Sequence, residues 1–307
     1  MDYSLAFDFE SKSLRIAVRF SDPPKFYAGE NNVVVMEYKS TFDCRGYSAW
    51  DIQKLDCKKA MMDKFEIKTS RLTSLDGVPI KANRISVQES NLKSLDCSYT
   101  EVSEFVISNN KLLTSLKGSP QKTKVYSADR CGLTSLDCDE ISVEQRFNVN
   151  GNYLTSLEGC PKYAHILWAN NNSLQILKCQ HAVIGILHVN NNKELKNLSN
   201  GPSKCRAIMA NSCGLQTIDC NSEVDSLNVT DNPHLRLIGL PNLLSLAVTV
   251  NVKCLLRVCG RVRKVIIWSE LSGVKNDEVT KLAEIEPSNS VFRQKLELRK
   301  QGIRATL

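Results

Sequence analysis

Cysteine and histidine are the residue types in this chain best suited to chemistry, because both ligate metals and both act as nucleophiles or bases. The chain has 12 cysteines and 4 histidines. The histidines do not form His-Glu-x-x-His, and no Cys-x-x-Cys pair or Cys/His cluster has the spacing of a zinc site. Phosphate-binding Gly-x-x-x-x-Gly-Lys and the nucleophile motif Gly-x-Ser-x-Gly are also absent. We therefore expect no enzyme activity, no cofactor and no metal site.

Six of the cysteines recur at intervals of 40, 41, 41, 41 and 39 residues, which indicates a structural role: Cys57, Cys97, Cys138, Cys179, Cys220 and Cys259. They occur in every second repeat of the pattern described below. If strands of neighbouring repeats are about 4.8 Å apart, cysteines two repeats apart are about 10 Å apart, beyond the roughly 7 Å limit for a disulfide. We interpret this cysteine column as small buried apolar residues in a reducing compartment.

Any binding site must therefore be built on the repeats that make up most of the chain. The stretch at 72–79, Leu-Thr-Ser-Leu-Asp-Gly-Val-Pro, returns in modified form every 20 or 21 residues. Its first apolar residue recurs as Ile52, Leu72, Leu92, Leu113, Leu133, Leu154, Leu174, Leu195, Leu215, Leu235 and Leu255. Two repeat types alternate, one with Gly and Pro after the second leucine and one with the cysteine column. A fixed period of this length predicts a solenoid in which each repeat covers its neighbour.

Each repeat also contains a strand pattern, apolar-x-apolar-x-x-Asn, as in Leu167, Ala169 and Asn172. Alternation with a period of two points these residues inward and the residues between them outward. A buried Asn must satisfy its amide, so we expect a ladder in which each Asn bonds the backbone of its own and the adjacent loop. Cys131 and Cys213 replace Asn in this position.

These features together resemble the leucine-rich repeat family over roughly residues 50–260. The short repeats are similar to those of tailed-phage and bacterial proteins. The resemblance implies a leucine-rich repeat horseshoe with a parallel β-sheet on the concave face and a mostly extended convex side. Some bacterial effectors join such repeats to a ubiquitin-ligase domain, but only about 47 residues follow the array here. The resemblance therefore implies no ligase activity.

The two ends of the chain lie outside the repeat pattern. Residues 1–50 alternate apolar and polar over 3–9 and 13–20, which predicts an N-terminal β cap, with a separate binding head as the alternative. Residues 51–260 form the array of about 11 repeats. Residues 261–307 are expected to add one last strand and then a basic helical cap, with helices over 276–285 and 290–302.

Most of the formal net charge of +7 belongs to the C-terminal tail. Residues 253–307 contain twelve Lys or Arg against six Asp or Glu. Such a tail can contact phosphate or an acidic protein, or it can be solvated surface. Nucleic-acid binding through the tail is therefore one alternative function. The sheet itself lacks the basic residues interleaved with aromatics that a nucleic-acid groove needs.

The outward side of the strands is the expected binding surface. The residue between the two inward apolar positions is Trp168, His188 and Met209 in three consecutive repeats. A Trp beside His and Met is typical of a binding hot spot. We expect further contacts from neighbouring positions: Asn148, Asn170, Asn190, Asp129 and Arg130. The alternative is that the Asn runs serve the turn that leaves each strand, because Asn tolerates left-handed backbone.

We therefore predict a non-enzymatic module that binds a protein partner through the concave face and, given the resemblance, acts on a host or phage protein. The alternative is a structural component of a virion or other large particle, held by its terminal segments, which could also join copies into a homo-oligomer. The first residues lack the basic segment and apolar core of a secretory signal, and no apolar run is long enough to span a bilayer. We expect a cytoplasmic protein, in the host cytoplasm if phage-encoded, without a membrane partner.

Overall fold

The computed structural model describes residues 54–58, 60–68, 71–219, 224–249 and 256–268, together with short strands at both ends of the chain at 6–8, 13–15, 27–29, 33–35, 42–44, 283–285, 297–299 and 304–306. The chain divides into two compact units. Unit 1 comprises Met1–Asn152 with Pro161–Tyr163, and unit 2 comprises Tyr153–Cys160 with Ala164–Leu307.

Unit 1 is built from eleven described strands: β1 Ala6–Asp8, β2 Ser13–Arg15, β3 Tyr27–Gly29, β4 Val33–Val35, β5 Phe42–Cys44, β6 Lys54–Asp56, β7 Met61–Lys68, β8 Lys81–Gln88, β9 Glu101–Val106, β10 Lys122–Ser127 and β11 Ser142–Asn148. Strands β5 and β7 to β11 form a parallel sheet, with one strand for each repeat from β7 onward. The register pairs equivalent residues, so Phe65 lies opposite Ile85 and Ile85 opposite Phe105.

Unit 2 contains the later strands: β12 Tyr163–Trp168, β13 Val183–His188, β14 Lys204–Met209, β15 Thr217–Asp219, β16 Ser226–Val229, β17 Leu237–Thr249, β18 Leu256–Trp268, β19 Ala283–Ile285, β20 Glu297–Arg299 and β21 Arg304–Thr306. The first residue of β12 belongs to unit 1. Strand β12 neighbours β13 in the sheet. The pairs β13–β14, β14–β16, β16–β17 and β17–β18 are all parallel. Each unit is therefore a β-solenoid, with about nine turns counted over both.

The core of each turn consists of the inward residues that the repeat pattern predicts. Leu72, Leu92, Leu154 and Leu195 are all buried, as are their partners three residues later. In unit 1 the strands add aromatic rings, and the Tyr126 ring lies 5.2 Å from Phe105 and 5.3 Å from Phe147 between centroids. The equivalent strand positions of unit 2 are aliphatic: Leu167, Leu187, Ile208 and Leu227. The same backbone thus accepts two different core fillings.

The predicted ladder of inward Asn side chains is confirmed. Asn192 Nδ2 donates to the carbonyls of Val189 at 2.7 Å and Ala169 at 3.1 Å. Its Oδ1 accepts from the backbone N–H groups of Leu174 at 3.1 Å and Asn172 at 3.2 Å. One side chain therefore satisfies backbone groups in two turns, which stabilises the stacking of those turns.

The two cysteines that replace Asn keep part of this ladder. The Cys131 thiol donates to the Ile107 carbonyl at 3.1 Å, and the Cys213 thiol donates to the Val189 carbonyl at 3.2 Å. A thiol has one weak donor, whereas an amide has two donors and an acceptor. These two turns are therefore joined by fewer side-chain hydrogen bonds than their neighbours.

The terminal predictions are only partly tested by the described residues. β1 and β2 lie within the two stretches whose alternation predicts strands, and they pair in antiparallel fashion. Their capping role stays a prediction. In the predicted helical tail, the segments described are the strands β19, β20 and β21, so a helical C-terminal segment is not confirmed. The horseshoe that the family resemblance implies also stays a prediction. Within the described part of the chain, no helix has the length and apolarity to cross a membrane.

Candidate functional site

The three large side chains Trp168, His188 and Met209 lie at the ends of β12, β13 and β14. The residues on either side of Trp168, Leu167 and Ala169, are fully buried. The alternation of a strand therefore turns Trp168 outward. The same holds for His188 and Met209, and all three side chains are half-buried. The outward orientation predicted from the sequence is confirmed.

These three side chains form a continuous row across adjacent strands. His188 and Met209 are direct partners in the parallel register. The Trp168 and His188 rings meet edge to face, with centroids 6.1 Å apart and planes inclined by 76°. Gly185 helps β13 to approach β12, since a Cβ there would lie 2.5 Å from the His165 carbonyl oxygen.

A second outward row extends the apolar surface and was missed by the sequence analysis. Ile166, Ile186 and Ala207 stand two residues before Trp168, His188 and Met209, and Ile186 pairs with Ala207 in the register. Ile166 and Ile186 are half-buried, and Ala207 is buried. The signal for this row is the same two-residue period, continued one step toward the start of each strand.

A third outward row consists of amides joined to one another. The backbone N–H of Asn190 donates to Asn170 Oδ1, and that of Asn211 donates to Asn190 Oδ1, both at 2.8 Å. The series ends at Asn211. The equivalent N–H group of the next turn, that of Thr230, donates to Asn228 Oδ1 and not to Asn211 Oδ1. The Oδ1 atom of Asn211 is consequently buried without a hydrogen bond from any described residue. This row therefore ends in an open acceptor, at a residue that the predicted site did not include.

Each Asn in the runs at 170–172 and 190–192 has a different role. Asn170 and Asn190 belong to the outward row. Asn171 and Asn191 have φ values of 56° and 61°, so they form the left-handed turn that leaves the strand. The third Asn of each run, at 172 and 192, is in the buried ladder. The turn interpretation therefore explains the middle residue of each run and leaves the outward amides to be explained by another role.

The three rows together define a patch without formal charge at neutral pH. We call it the neutral patch, and it consists of Ile166, Trp168, Asn170, Ile186, His188, Asn190, Ala207, Met209 and Asn211. His188 is its one ionisable member. Burial lowers the pKa of His188 below its usual value, since the protonated ring would lose hydration. The imidazole is therefore neutral at pH 7, and the patch offers apolar area and amide hydrogen bonds.

The remaining predicted site residues lie in unit 1, where polar groups bond one another. Asp129 Oδ1 accepts hydrogen bonds from the hydroxyls of Ser127, at 2.9 Å, and Ser108. Asn148 Nδ2 donates to Ser127 Oγ at 3.1 Å. Arg130 is not on the sheet face, because its φ of 54° places it in the turn after β10, where its carbonyl accepts from Lys111 Nζ at 2.7 Å. Asn148 and Asp129 thus belong to a self-contained polar network.

An ion-pair network occupies the same outward side of unit 1. Arg84 lies between two carboxylates and donates to Glu66 at 2.9 Å and to Glu104. Glu66 is buried, and Arg84 and Glu104 are partly exposed. The charges of Arg84, Glu66 and Glu104 therefore already have partners within the unit.

No group of three or more His, Cys, Asp or Glu side chains in the described ranges has an arrangement that could hold a metal ion. The eight cysteines whose surroundings are described are all buried, and none of them forms a disulfide. A search of family models, curated proteins and solved structures found no significant match to the chain, so its function has to be argued from this geometry.

Proposed function

We propose that this chain is a non-enzymatic protein-binding module of the leucine-rich repeat type that takes its partner on the neutral patch of unit 2. The observation that carries the proposal is the row of Trp168, His188 and Met209, flanked by aliphatic and amide rows. Large aromatic side chains surrounded by polar groups supply most of the affinity in protein interfaces. A solenoid sheet presents such side chains on a rigid backbone, so little ordering free energy is lost on binding.

The chemistry of the patch selects the class of partner. A neutral surface gives no electrostatic attraction to phosphate, so it does not suit nucleic acid. The complementary surface is an uncharged part of a protein, with an apolar centre over Trp168 and Ile186 and with hydroxyl or amide donors at its edge. Binding should then depend little on ionic strength, because screening acts on charges.

The test is an affinity capture followed by a measured binding curve. The full chain captures proteins from a nuclease-treated lysate, and each captured protein is then purified and titrated against the wild type and the Trp168→Ala/His188→Ala double variant. Loss of one hot-spot aromatic costs about 2 kcal/mol, or roughly a 30-fold rise in Kd. The matched control is Val106→Ala/Ser127→Ala, which removes side chains from the equivalent column of unit 1.

Three results would separate the competing functions. A Kd that rises in the double variant, stays unchanged in the control and does not vary with salt supports the proposal. Affinity that falls steeply with salt and survives the double variant would instead support nucleic-acid binding through the basic tail. A partner lost only when residues 269–307 are removed would support an assembly role for the C-terminal segment.

A further inference from the structure

Unit 2 contains a cluster of two thiols and an imidazole outside the neutral patch. Cys160 precedes Pro161 in a proline-type repeat, and Cys179 belongs to the cysteine column in the next repeat. Both thiols are fully buried, while His181, two residues after Cys179, is exposed. Column cysteines are two turns apart, too far for a disulfide. Cys160 and Cys179 are in adjacent turns, so that limit does not apply to them.

The hydrogen bonds of the cluster favour a thiolate at Cys160. His181 Nε2 lies 2.9 Å from the Cys160 carbonyl oxygen, and a carbonyl only accepts, so Nε2 carries a hydrogen. The same N–H group lies 3.9 Å from Cys160 Sγ. Hydrogen bonding by Cys179 and then by His181 lowers the pKa of the Cys160 thiol, against the opposing effect of burial. Donors directed at a sulfur stabilise its negative charge.

Unit 1 contains the same arrangement without the second thiol. Cys97 is the counterpart of Cys179, Val78 is the counterpart of Cys160, and Tyr99 takes the place of His181. The Tyr99 hydroxyl donates to the Val78 carbonyl at 3.1 Å, so the contact to this carbonyl is a structural feature of the repeat. Burial raises the pKa of the Cys97 thiol well above its usual value. Compared with the Cys97 site, the Cys179 site therefore differs in having the second thiol of Cys160 and the imidazole of His181.

We propose that Cys160 and Cys179 form an oxidation site at which hydrogen peroxide converts the two thiols into a disulfide between adjacent turns. Neighbouring turns of a β-solenoid are about 4.8 Å apart, within the roughly 4.4–6.8 Å between Cα atoms that a disulfide requires. The two cysteines lie in adjacent turns, both are buried, and hydrogen bonding by Cys179 is the largest cause of the lowered Cys160 pKa.

The chemistry balances with peroxide as the one oxidant. The Cys160 thiolate attacks one peroxide oxygen, so that an S–O bond forms, the O–O bond breaks and hydroxide leaves, taking up a proton to become water. Cys179 then loses its proton and its sulfur attacks Cys160 Sγ; the S–S bond forms, the S–O bond breaks and a second water leaves. The two sulfurs lose two electrons together, and the peroxide gains them.

Burial makes the site selective for small oxidants. Neither sulfur is exposed, so a bulky disulfide reagent or maleimide has no approach in the folded protein. Peroxide is close to water in size and is uncharged, and the Nε2 atom of the exposed His181 ring lies 3.9 Å from Cys160 Sγ. We therefore expect peroxide to react at this pair while large thiol reagents do not.

The experiment uses the reduced full chain, treated with peroxide, denatured with an alkylating agent present and digested with trypsin. Cys160 and Cys179 fall on separate single-cysteine peptides, 147–162 and 179–193, and Cys97 falls on 94–111 as a control in the same digest. We expect the first two peptides to be joined, with a mass two hydrogens below their sum, and peptide 94–111 to be alkylated. Alkylation of Cys160 and Cys179 to the same extent as Cys97, or cross-links that involve other cysteines, would overturn the proposal.

Variants test the role of each group. In Cys179→Ser, the Cys160 sulfenic acid has no resolving thiol and should be trapped by dimedone, and in Cys160→Ser, Cys179 should stay a thiol. His181→Gln keeps a donor for the Cys160 carbonyl but has no imidazole, so cross-linking at neutral pH should slow about tenfold and its pH profile should shift upward. An unchanged rate and profile would remove His181 from the site.

A gain-of-function variant in unit 1 separates reactivity from misfolding. Val78→Cys places a thiol beside Cys97, and together with Tyr99→His it rebuilds the cluster. We expect peroxide to join the tryptic peptides 72–81 and 94–111 in this double variant, and to join them more slowly in Val78→Cys alone. Failure of both variants to cross-link, in protein that still folds, would show that adjacency in these turns does not suffice, which contradicts the geometric basis of the proposal.

Discussion

The outward faces of the two units differ sharply, although their inward faces follow the same pattern. In unit 1 the outward groups bond one another, as Arg84 does with Glu66 and Glu104 and as Asp129 does with Ser108 and Ser127. In unit 2 the corresponding rows are the neutral patch, in which two of three rows are apolar or aromatic. The comparison teaches that the repeat determines only the inward half of each strand. A binding specificity can therefore be confined to a few neighbouring turns.

The difference also indicates which face is available to a partner. A partner that covers Arg84 and its carboxylates must displace or bury existing ion pairs, and that desolvation is costly. A partner that covers Trp168 and Ile186 removes apolar area from water, which is favourable by about 25 cal/mol per Å².

The largest expected effect is on the Asn ladder, which the units have in common. Asn192→Ala and Asn110→Ala should each lower the free energy of unfolding by about 3 kcal/mol, because each leaves several buried backbone groups without partners. Urea titration followed by circular dichroism measures both. If only one of the two variants lost stability, the Asn ladder would contribute differently to the two units, and their inward faces would not be equivalent.

The next effect concerns the aliphatic row that extends the patch. Ile186→Arg places a charge among apolar side chains and should weaken partner binding by about 30-fold. Titration of the identified partner at low and high salt measures the change. The matched control is Val125→Arg, at an outward position of β10 in unit 1, for which we expect no loss of affinity. Equal losses in both variants would mean that the partner does not distinguish the two faces.

A smaller effect is expected for the ion pairs of unit 1. Arg84→Ala leaves the buried Glu66 carboxylate without its guanidinium partner and should lower the free energy of unfolding by about 1.5 kcal/mol. Most of this loss should be recovered in Arg84→Ala/Glu66→Gln, since the second change removes the charge. Partner affinity should be unchanged in both variants. A loss of affinity would place unit 1 in the interface.

The smallest effect is the pH dependence of His188. Its pKa is lowered in the folded chain, so the neutral form is favoured and this contribution to stability is lost as the pH falls below the unfolded value of 6.5. A partner that covers the ring lowers the pKa further, so affinity should fall about fivefold between pH 7 and pH 5.5. His188→Gln should flatten this dependence. Affinity that rises at low pH would indicate a carboxylate of the partner against His188.

Much of this organisation could be predicted from the sequence because it depends on periodicity. A step of 20 or 21 residues with a two-residue alternation places Trp168, His188 and Met209 outward and Asn172 and Asn192 inward. What was missed depends on local geometry. Arg130 was counted as a contact residue because its left-handed φ is not evident from its residue type. The Cys160 and Cys179 pair was missed because the spacing argument covered only cysteines of one repeat type.

The structure of the C-terminal tail and the unpaired acceptor of Asn211 could not be predicted from periodicity. The tail from 276 onward has capping residues and apolar spacing that favour helices, yet its described segments are strands. A strand that pairs with a sheet edge gains hydrogen bonds that local propensity does not reveal, as β21 does with β18. The open acceptor of Asn211 likewise depends on which carbonyl receives the N–H of Thr230 in the next turn.

The alternation of two turn types has a consequence for how such a gene can grow. Duplication of a single repeat of the cysteine type would put two column cysteines in adjacent turns, about 4.8 Å apart. Duplication of a proline-type repeat would likewise put two proline turns next to each other. An insertion of two repeats preserves every neighbour relation instead. The unit of duplication is therefore a pair of turns. The length of the repeat array should change in steps of about 41 residues.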